Sequence, residues 1–238
     1  MRGIIILAAL PLAACSVALG DSGVKGTGSG TARDFAVSDF NQVALTGSDN
    51  VRVRVGPQFA VHAEGPAEVL DRLRIERDGD TLSIGRKSTM GFEWSTRDAT
   101  ITVTMPAIHG ASVTGSGDMA VERVTGDSFK GSATGSGNLN VAALDVKHGE
   151  FSITGSGDID AKGKAAQLAM SVTGSGSLRL KGVEAQGANV SVMGSGDATA
   201  TVNGAASVNV MGSGDVDLGP NAHCSTSKLG SGDVTCGH

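Results

Sequence analysis

The sequence predicts an all-β fold: a parallel β-helix, or β-solenoid, with two main sheets and about 18–20 residues per coil. Three observations predict it. The tetrapeptide Gly-Ser-Gly-Asp, or a one-letter variant, recurs seven times in the last 124 residues, starting at Gly115, Gly135, Gly155, Gly174, Gly194, Gly212 and Gly230. The steps are 20, 20, 19, 20, 18 and 18 residues, and a fixed period of this size marks stacked units that bury their apolar sides against neighbours. The flanks of every copy alternate apolar and polar with a period of two, as half-buried strands do. Hairpins would not demand the same residue class at every return. Stacked coils do, because equivalent residues then lie above one another.

Residues 1–14 are expected to be a signal peptide. Met1-Arg2 is a minimal basic start, and Ile4 to Leu12 is an apolar run of nine residues, too short to span a bilayer. The following Leu12-Ala13-Ala14-Cys15 resembles the lipobox of bacterial lipoproteins, which implies that Cys15 becomes the lipidated first residue of the mature chain. Ser16 resembles the pattern directed to the outer membrane. Ordinary cleavage near Ala14 or Ala18 is the competing reading. The expected location is therefore the cell envelope, on the outer membrane and facing the periplasm or the surface, with the membrane as a partner through the lipid.

Residues 15–33 are rich in Gly, Ser and Thr, as in Gly26-Thr27-Gly28-Ser29-Gly30, and read as a flexible tether. Residues 34–107 are strand-rich but less regular. Thr46-Gly47-Ser48-Asp49-Asn50, leading into Val51 to Val55, is a degenerate eighth copy of the motif. A helical turn is expected after Pro66, a hairpin from Leu73 to Ile84 across Asp78-Gly79-Asp80, and a strand from Thr100 to Met105 ended by Pro106. Phe92 and Trp94 are expected to plug the first end of the solenoid, with a partner contact as the alternative.

Residues 108–238 form the repeat. Val113, Ala133, Ile153, Val172, Val192, Val210 and Lys228 stand two before each first Gly. Four before stand Ala111, Gly131, Phe151, Met170, Val190, Val208 and Thr226. Both columns are expected to face inward. Between them Ser112, Ser132, Ser152, Ser171, Ser191, Asn209 and Ser227 form an uncharged outer column. The residue just before each turn reads Thr114, Thr134, Thr154, Thr173, Met193, Met211 and Leu229. Its change from threonine to apolar side chains marks an association surface, or else the strand twists there and these residues pack inward. The fourth motif residue reads Asp118, Asn138, Asp158, Ser177, Asp197, Asp215 and Asp233. At a coil spacing of about 4.8 Å such carboxylates repel, so they must face solvent or share a cation.

Composition excludes several classes. There is no Tyr and only one Trp, so aromatic stacking of sugars or bases is nearly unavailable. A net charge of -5 with no basic cluster argues against nucleic acid. Lipidation of Cys15 would leave Cys224 and Cys236 for a disulfide pinning the last coil; a metal site with His223 and His238 is the alternative.

The order of these features is similar to that of the bacterial GIN-domain family of putative autotransporter adhesin heads. Residues 33–40 resemble the family's opening. Val43 through Val55, the Asp80 to Ile84 strand and Thr100 to Pro106 follow, running into Val113 to Asp118 and the serial Gly-Ser-Gly motifs. The resemblance implies a right-handed, pectin-lyase-like β-helix without lyase residues, on envelope proteins, with adhesion as the role. It brings no catalytic set and no cofactor.

The leading expectation is thus a non-catalytic envelope module. Its ligand would be a glycan, a protein or a second copy, and its candidate surface is Ser112, Ser132, Ser152, Ser171, Ser191, Met193 and Met211. One alternative is a polysaccharide-active enzyme, for which Asp160 beside Arg179 is the nearest thing to a catalytic pair. Another is a calcium-loaded solenoid, since Gly-Ser-Gly-Asp-Ile-Asp resembles the calcium nonapeptide.

Overall fold

The computed structural model describes residues 23–87 and 97–237. Residues 1–22, with the expected signal and Cys15, lie outside the described residues, as do Phe92, Trp94 and His238. The irregular first part comprises β1 (Ala32–Phe35), β2 (Gln42–Gly47), β3 (Asn50–Val55), β4 (Ala60–Glu64), α1 (Ala67–Leu70), β5 (Leu73–Asp78), β6 (Thr81–Arg86) and β7 (Thr100–Met105). The repeat follows as β8 (Gly110–Gly115), β9 (Met119–Val121), β10 (Val124–Gly135), β11 (Leu139–Gly155), β12 (Ile159–Gly174) and β13 (Leu178–Gly194). It ends in β14 (Ala198–Val202), β15 (Ala205–Gly212), β16 (Val216–Asp217), β17 (His223–Gly230) and β18 (Val234–Thr235).

The chain is a parallel β-solenoid. One sheet carries the strands that precede the motif, in the order β5, β6, β2, β8, β10, β11, β12, β13, β15, β17. The other carries the strands that follow it: β1, β4, β7, β3, β9, the first residues of β11, β12 and β13, then β14, β16 and β18. Pairing is parallel from β6 and β7 onward and antiparallel only beyond them, where β5, β4 and β1 close the first end. The degenerate copy at Gly47 is a true coil, its Gly47 lying in register with Gly115.

The inward columns are buried as the alternation requires, from Val43 and Leu45 through Val113, Ile153, Val172 and Val210. Gly131 stands in an inward column because Phe151 fills its space: a Cβ there would lie 2.9 Å from the Phe151 ring. Phe151 in turn packs tilted against Phe129, ring centres 5.9 Å apart. The alternation slips once between Val141 and Leu144, where the register also shifts, and again between Val146 and Gly149. Each odd step bends the coil, so a short third run such as Leu144–Val146 closes the cross-section between the two sheets.

Within the turn, the first glycine of each motif has positive φ, for example 119° at Gly115 and 125° at Gly155. The second glycine has another reason to lack a side chain. A Cβ on Gly137, Gly157 or Gly176 would fall on the carbonyl oxygen of the matching glycine one coil earlier. That close stacking lets one carbonyl accept two amides: Ser156 and Gly157 both donate to the Gly135 oxygen, at 2.8 and 3.0 Å, and the pattern repeats in every coil. Positive φ is therefore confined to the glycine, and the motif's fourth residue does not share it.

Two expectations are corrected, and one alternative is excluded. The tether does not extend to residue 33: Val24 N–H donates to the Ile75 carbonyl, Thr27 bridges Asp34, and the Arg33 guanidinium meets Asp71 at 2.7 Å. Thr226 and Lys228, assigned to inward columns, are exposed: among the described strands β17 pairs only with β15, and these polar side chains face water. The pre-turn residues do not pack inward either: Met193, Met211 and Leu229 are 51, 52 and 71% exposed.

The first end is closed differently. Asp49 occupies the second-glycine position of the degenerate motif, in register above Gly117, and is fully buried. Arg86 from β6 holds it with Nε and Nη2 at 2.8 and 2.6 Å, and the Ala99 amide donates to the same carboxylate at 2.8 Å. Replacing Arg86 by Met should cost about 3–5 kcal/mol in urea unfolding, because it strands a buried charge. For the turn, Gly157→Ala should cost about 1–3 kcal/mol by forcing two coils apart. Ser156→Ala beside it, at an exposed side chain without a hydrogen-bond partner among the described residues, should stay within roughly 0.5 kcal/mol.

Candidate functional site

The outer face of the first sheet carries two stacked columns two residues apart. Ser112, Ser132, Ser152, Ser171, Ser191, Asn209 and Ser227 lie in continuous register. So do Thr46, Thr114, Thr134, Thr154, Thr173, Met193, Met211 and Leu229. The side chains of Ser171, Ser191 and Asn209 make no hydrogen bond to other described residues, so their donors and acceptors point unspent at solvent. A shallow groove of about 300 Å³ follows this column from Ser152 to Asn209. It is bordered by Asn189 and Ser207 on one side, and the ridge of Met193, Met211 and Leu229 runs along the other side of the Ser column.

The second sheet carries a different face. Its column of fourth motif residues is a hydrogen-bonded ladder, which sequence reasoning missed. Asp118 Oδ1 accepts from the backbone N–H and side-chain amide of Asn138, at 3.1 and 2.9 Å. Asn138 Oδ1 accepts from the Asp158 amide, and Asp158 Oδ1 from the Ser177 amide. Asp197 and Asp215 accept from the amides of Asp215 and Asp233. Asp118, Asn138, Asp158, Asp197 and Asp215 thus each satisfy a turn amide of the next coil, and solvent is not their only partner. The signal was present in the sequence, since Asp, Asn and Ser can all cap an amide and an apolar residue cannot.

Beside that ladder, Arg52, Ala120, Asn140, Asp160, Arg179 and Thr199 stack in register. Asp160 and Arg179 form a bidentate ion pair at 3.0 and 3.1 Å, and the same guanidinium reaches Asp158 at 2.9 Å. These hydrogen bonds raise the Arg179 pKa further. Asp160 is committed to a cation and is no free acid or base. Around Ala120, the smallest member of its column, lies a polar groove of about 440 Å³.

Cys224 and Cys236 are joined by a disulfide, Cα atoms 6.2 Å apart, which ties the start of β17 to the residue after β18. His223 is exposed beside it. Among the described residues no group of three or more His, Cys, Asp or Glu side chains is placed to hold a metal ion. No helix among them is long and apolar enough to cross a membrane.

Comparison with known proteins places this geometry. The family described as "Putative auto-transporter adhesin, head GIN domain" matches residues 39–222. A crystal structure of a putative adhesin from Bacteroides fragilis superposes with a TM-score of 0.79 at 24% identity, covering 86% of this chain and 95% of that one. A putative adhesin from Parabacteroides distasonis gives 0.70 at 20% identity, covering 90 and 100%. A protein from the same organism, named a putative lipid binding protein, gives 0.67 at 20%, covering 90 and 99%. At these identities the likeness shows the shared solenoid fold. None of the three is named as an enzyme. Among curated proteins, none matches the chain by sequence.

Charge pairs also tie successive coils together. Lys181 reaches Asp217, two coils on, at 2.9 Å. That hydrogen bond, helped by the Gly219 amide, holds the Asp217 carboxyl below the usual carboxylate range against the opposing effect of its partial burial. A carboxyl with a lowered native pKa adds stability above its unfolded value, near 3.9, and loses it as pH falls through the native value. Asp217 should therefore titrate below a reference Asp in carbon-detected NMR, and Lys181→Met should move its midpoint upward.

Proposed function

The chain belongs to the auto-transporter adhesin head GIN domain family, and on that footing we propose that it is a non-catalytic adhesion module of the cell envelope. In this reading the lipid on Cys15 anchors the chain to the outer membrane and the solenoid displays its first-sheet face to a glycan or protein ligand. The family and two of the similar structures are named as adhesins, which supports the reading.

One observation carries it: the uncharged Ser and Asn column with unspent hydrogen-bonding capacity, bordered by the exposed ridge of Met193, Met211 and Leu229. Scattered exposed apolar residues need no explanation. Here three of the four exposed large apolar side chains among the described residues fall in one column, on consecutive coils. Neighbouring rungs are about 4.8 Å apart, so they form a continuous strip. Methionine suits such a strip because its flexible thioether conforms to varied partners. Ridge side chains contribute little to the core, so selection for stability alone gives no reason to keep them apolar.

The test is a glycan and protein array probed with the mature chain and with the double variant Met193→Ser, Met211→Ser. The double variant should keep its melting temperature while its captured ligand signal or its assembly falls by about tenfold, roughly 1.4 kcal/mol of binding. Binding unchanged by the substitutions would refute the surface. Cleavage of an acidic polysaccharide at substoichiometric protein would refute the non-catalytic assignment. Metabolic labelling with a palmitate analogue, lost in Cys15→Ser, tests the anchor.

A further inference from the structure

The second sheet carries a gap in an otherwise large-residue column. Ala120 stands between Arg52 and Asn140, one coil away on either side. Two coil spacings put the flanking backbones roughly 10 Å apart. Ala120 itself is exposed, and the groove of about 440 Å³ opens over it.

Polar groups converge on this gap without protein partners. The Arg52 guanidinium and the side-chain amides of Asn50 and Asn140 make no side-chain hydrogen bond or ion pair to other described residues. Asp118, on the adjoining column, spends Oδ1 on Asn138, and its Oδ2 has no partner among the described residues. The gap therefore offers a charged donor, two amides that both donate and accept, and a carboxylate that only accepts. By contrast Arg179, at the far wall, spends Nε and Nη2 on Asp158 and Asp160.

Charge decides which ligand fits. Two guanidiniums, Arg52 and Arg179, face three carboxylates, Asp118, Asp158 and Asp160, so the lined groove carries one net negative charge. An anionic ligand could pair with Arg52 but would face Asp118 across the same gap, in a groove of net negative charge. An apolar one would strand four polar groups, each costly to desolvate unpaired. Adjacent hydroxyls satisfy a carboxylate and a guanidinium at once, donating to the first and accepting from the second.

We propose that the gap over Ala120 is a seat for one uncharged sugar residue, held by Arg52, Asn140, Asn50 and the Oδ2 of Asp118. The seat lies on the opposite sheet from the Met193 ridge and does not depend on it. No aromatic side chain is among the groove's lining residues, so affinity per site is low, and many anchored copies on one surface would raise it through avidity.

The experiment is saturation-transfer NMR on the mature chain with neutral oligomers of glucose, mannose, galactose and N-acetylglucosamine, and with oligogalacturonate as the anionic control. At least one neutral oligomer should give transfer, with little from the galacturonate. Ala120→Phe fills the gap at an exposed position and should weaken that binding at least about tenfold, as should Arg52→Ala. The Met193→Ser, Met211→Ser protein should bind the same oligomer as the wild type does. The seat is overturned if no neutral oligomer binds, if Ala120→Phe binds like the wild type, or if the galacturonate binds as tightly. Loss of binding only in the ridge variant would support the first-sheet face and overturn the seat.

Discussion

The solenoid hangs on one carbonyl oxygen per coil. The first glycine of each motif turns the chain with a positive φ and presents its oxygen along the stacking axis, where the next coil's Ser and second Gly amides both meet it. Two donors on one acceptor require the coils to approach more closely than a Cβ allows, which is why the second glycine is as obligatory as the first. The fourth residue then completes the turn, its side chain accepting the following coil's amide. The Ser and second-Gly amides of each turn thus find their partner on the preceding coil, which lets the turns stack closely. Period, residue class and register all descend from this arrangement, and the apolar columns on either side are free to vary in size.

That freedom explains which parts of the fold could be read from the residues alone. The columns, the parallel stacking and the hairpin at Asp78 to Asp80 follow from two-residue alternation and turn chemistry, both local. What was not legible depends on partners one or two coils away in sequence. The buried Asp49–Arg86 pair joins residues 37 apart, and Asp49 alone reads as a misspelt turn. The amide ladder of Asp118, Asn138 and Asp158 reads as a column of repelling charges until the backbone amide that each faces is known. Thr226 and Lys228 fit the inward pattern by spacing, yet they lie on β17, which no other described strand covers, and they are exposed. The ordered stretch from Val24 to Arg33 has the composition of a linker, yet backbone hydrogen bonds and the Arg33–Asp71 pair hold it, and composition does not report those.

The two ends of the stack solve the same problem in opposite ways. A solenoid end exposes a strand edge able to recruit another chain. At the first end the chain doubles back: β5, β4 and β1 run antiparallel over the last parallel layer, and a buried ion pair fills the turn position. At the second end β17 remains an edge, with polar residues in its core columns, Lys228 at 3.7 Å from Asp233, and a disulfide fastening the coil. The first solution uses extra chain and the second uses local substitution. A lysine on the end face also discourages a second copy from adding a layer there.

Repetition itself says where to look for recognition. A column of identical residues offers the same contact at every coil, and so cannot define a position along the axis. A ligand is placed only where a column breaks. Among the outward columns, the break from Thr173 to Met193 turns a hydroxyl strip into an apolar ridge on one sheet. On the other sheet, Ala120 between Arg52 and Asn140 opens a gap in a large polar column. Neither break helps the core: Met193 is more than half exposed, and a larger residue at Ala120 would project into solvent. The irregularities within the stack have folding explanations, as Gly131 beside Phe151 shows. Those on its surface do not, and that contrast separates the positions that build the solenoid from the positions at which it can hold something else.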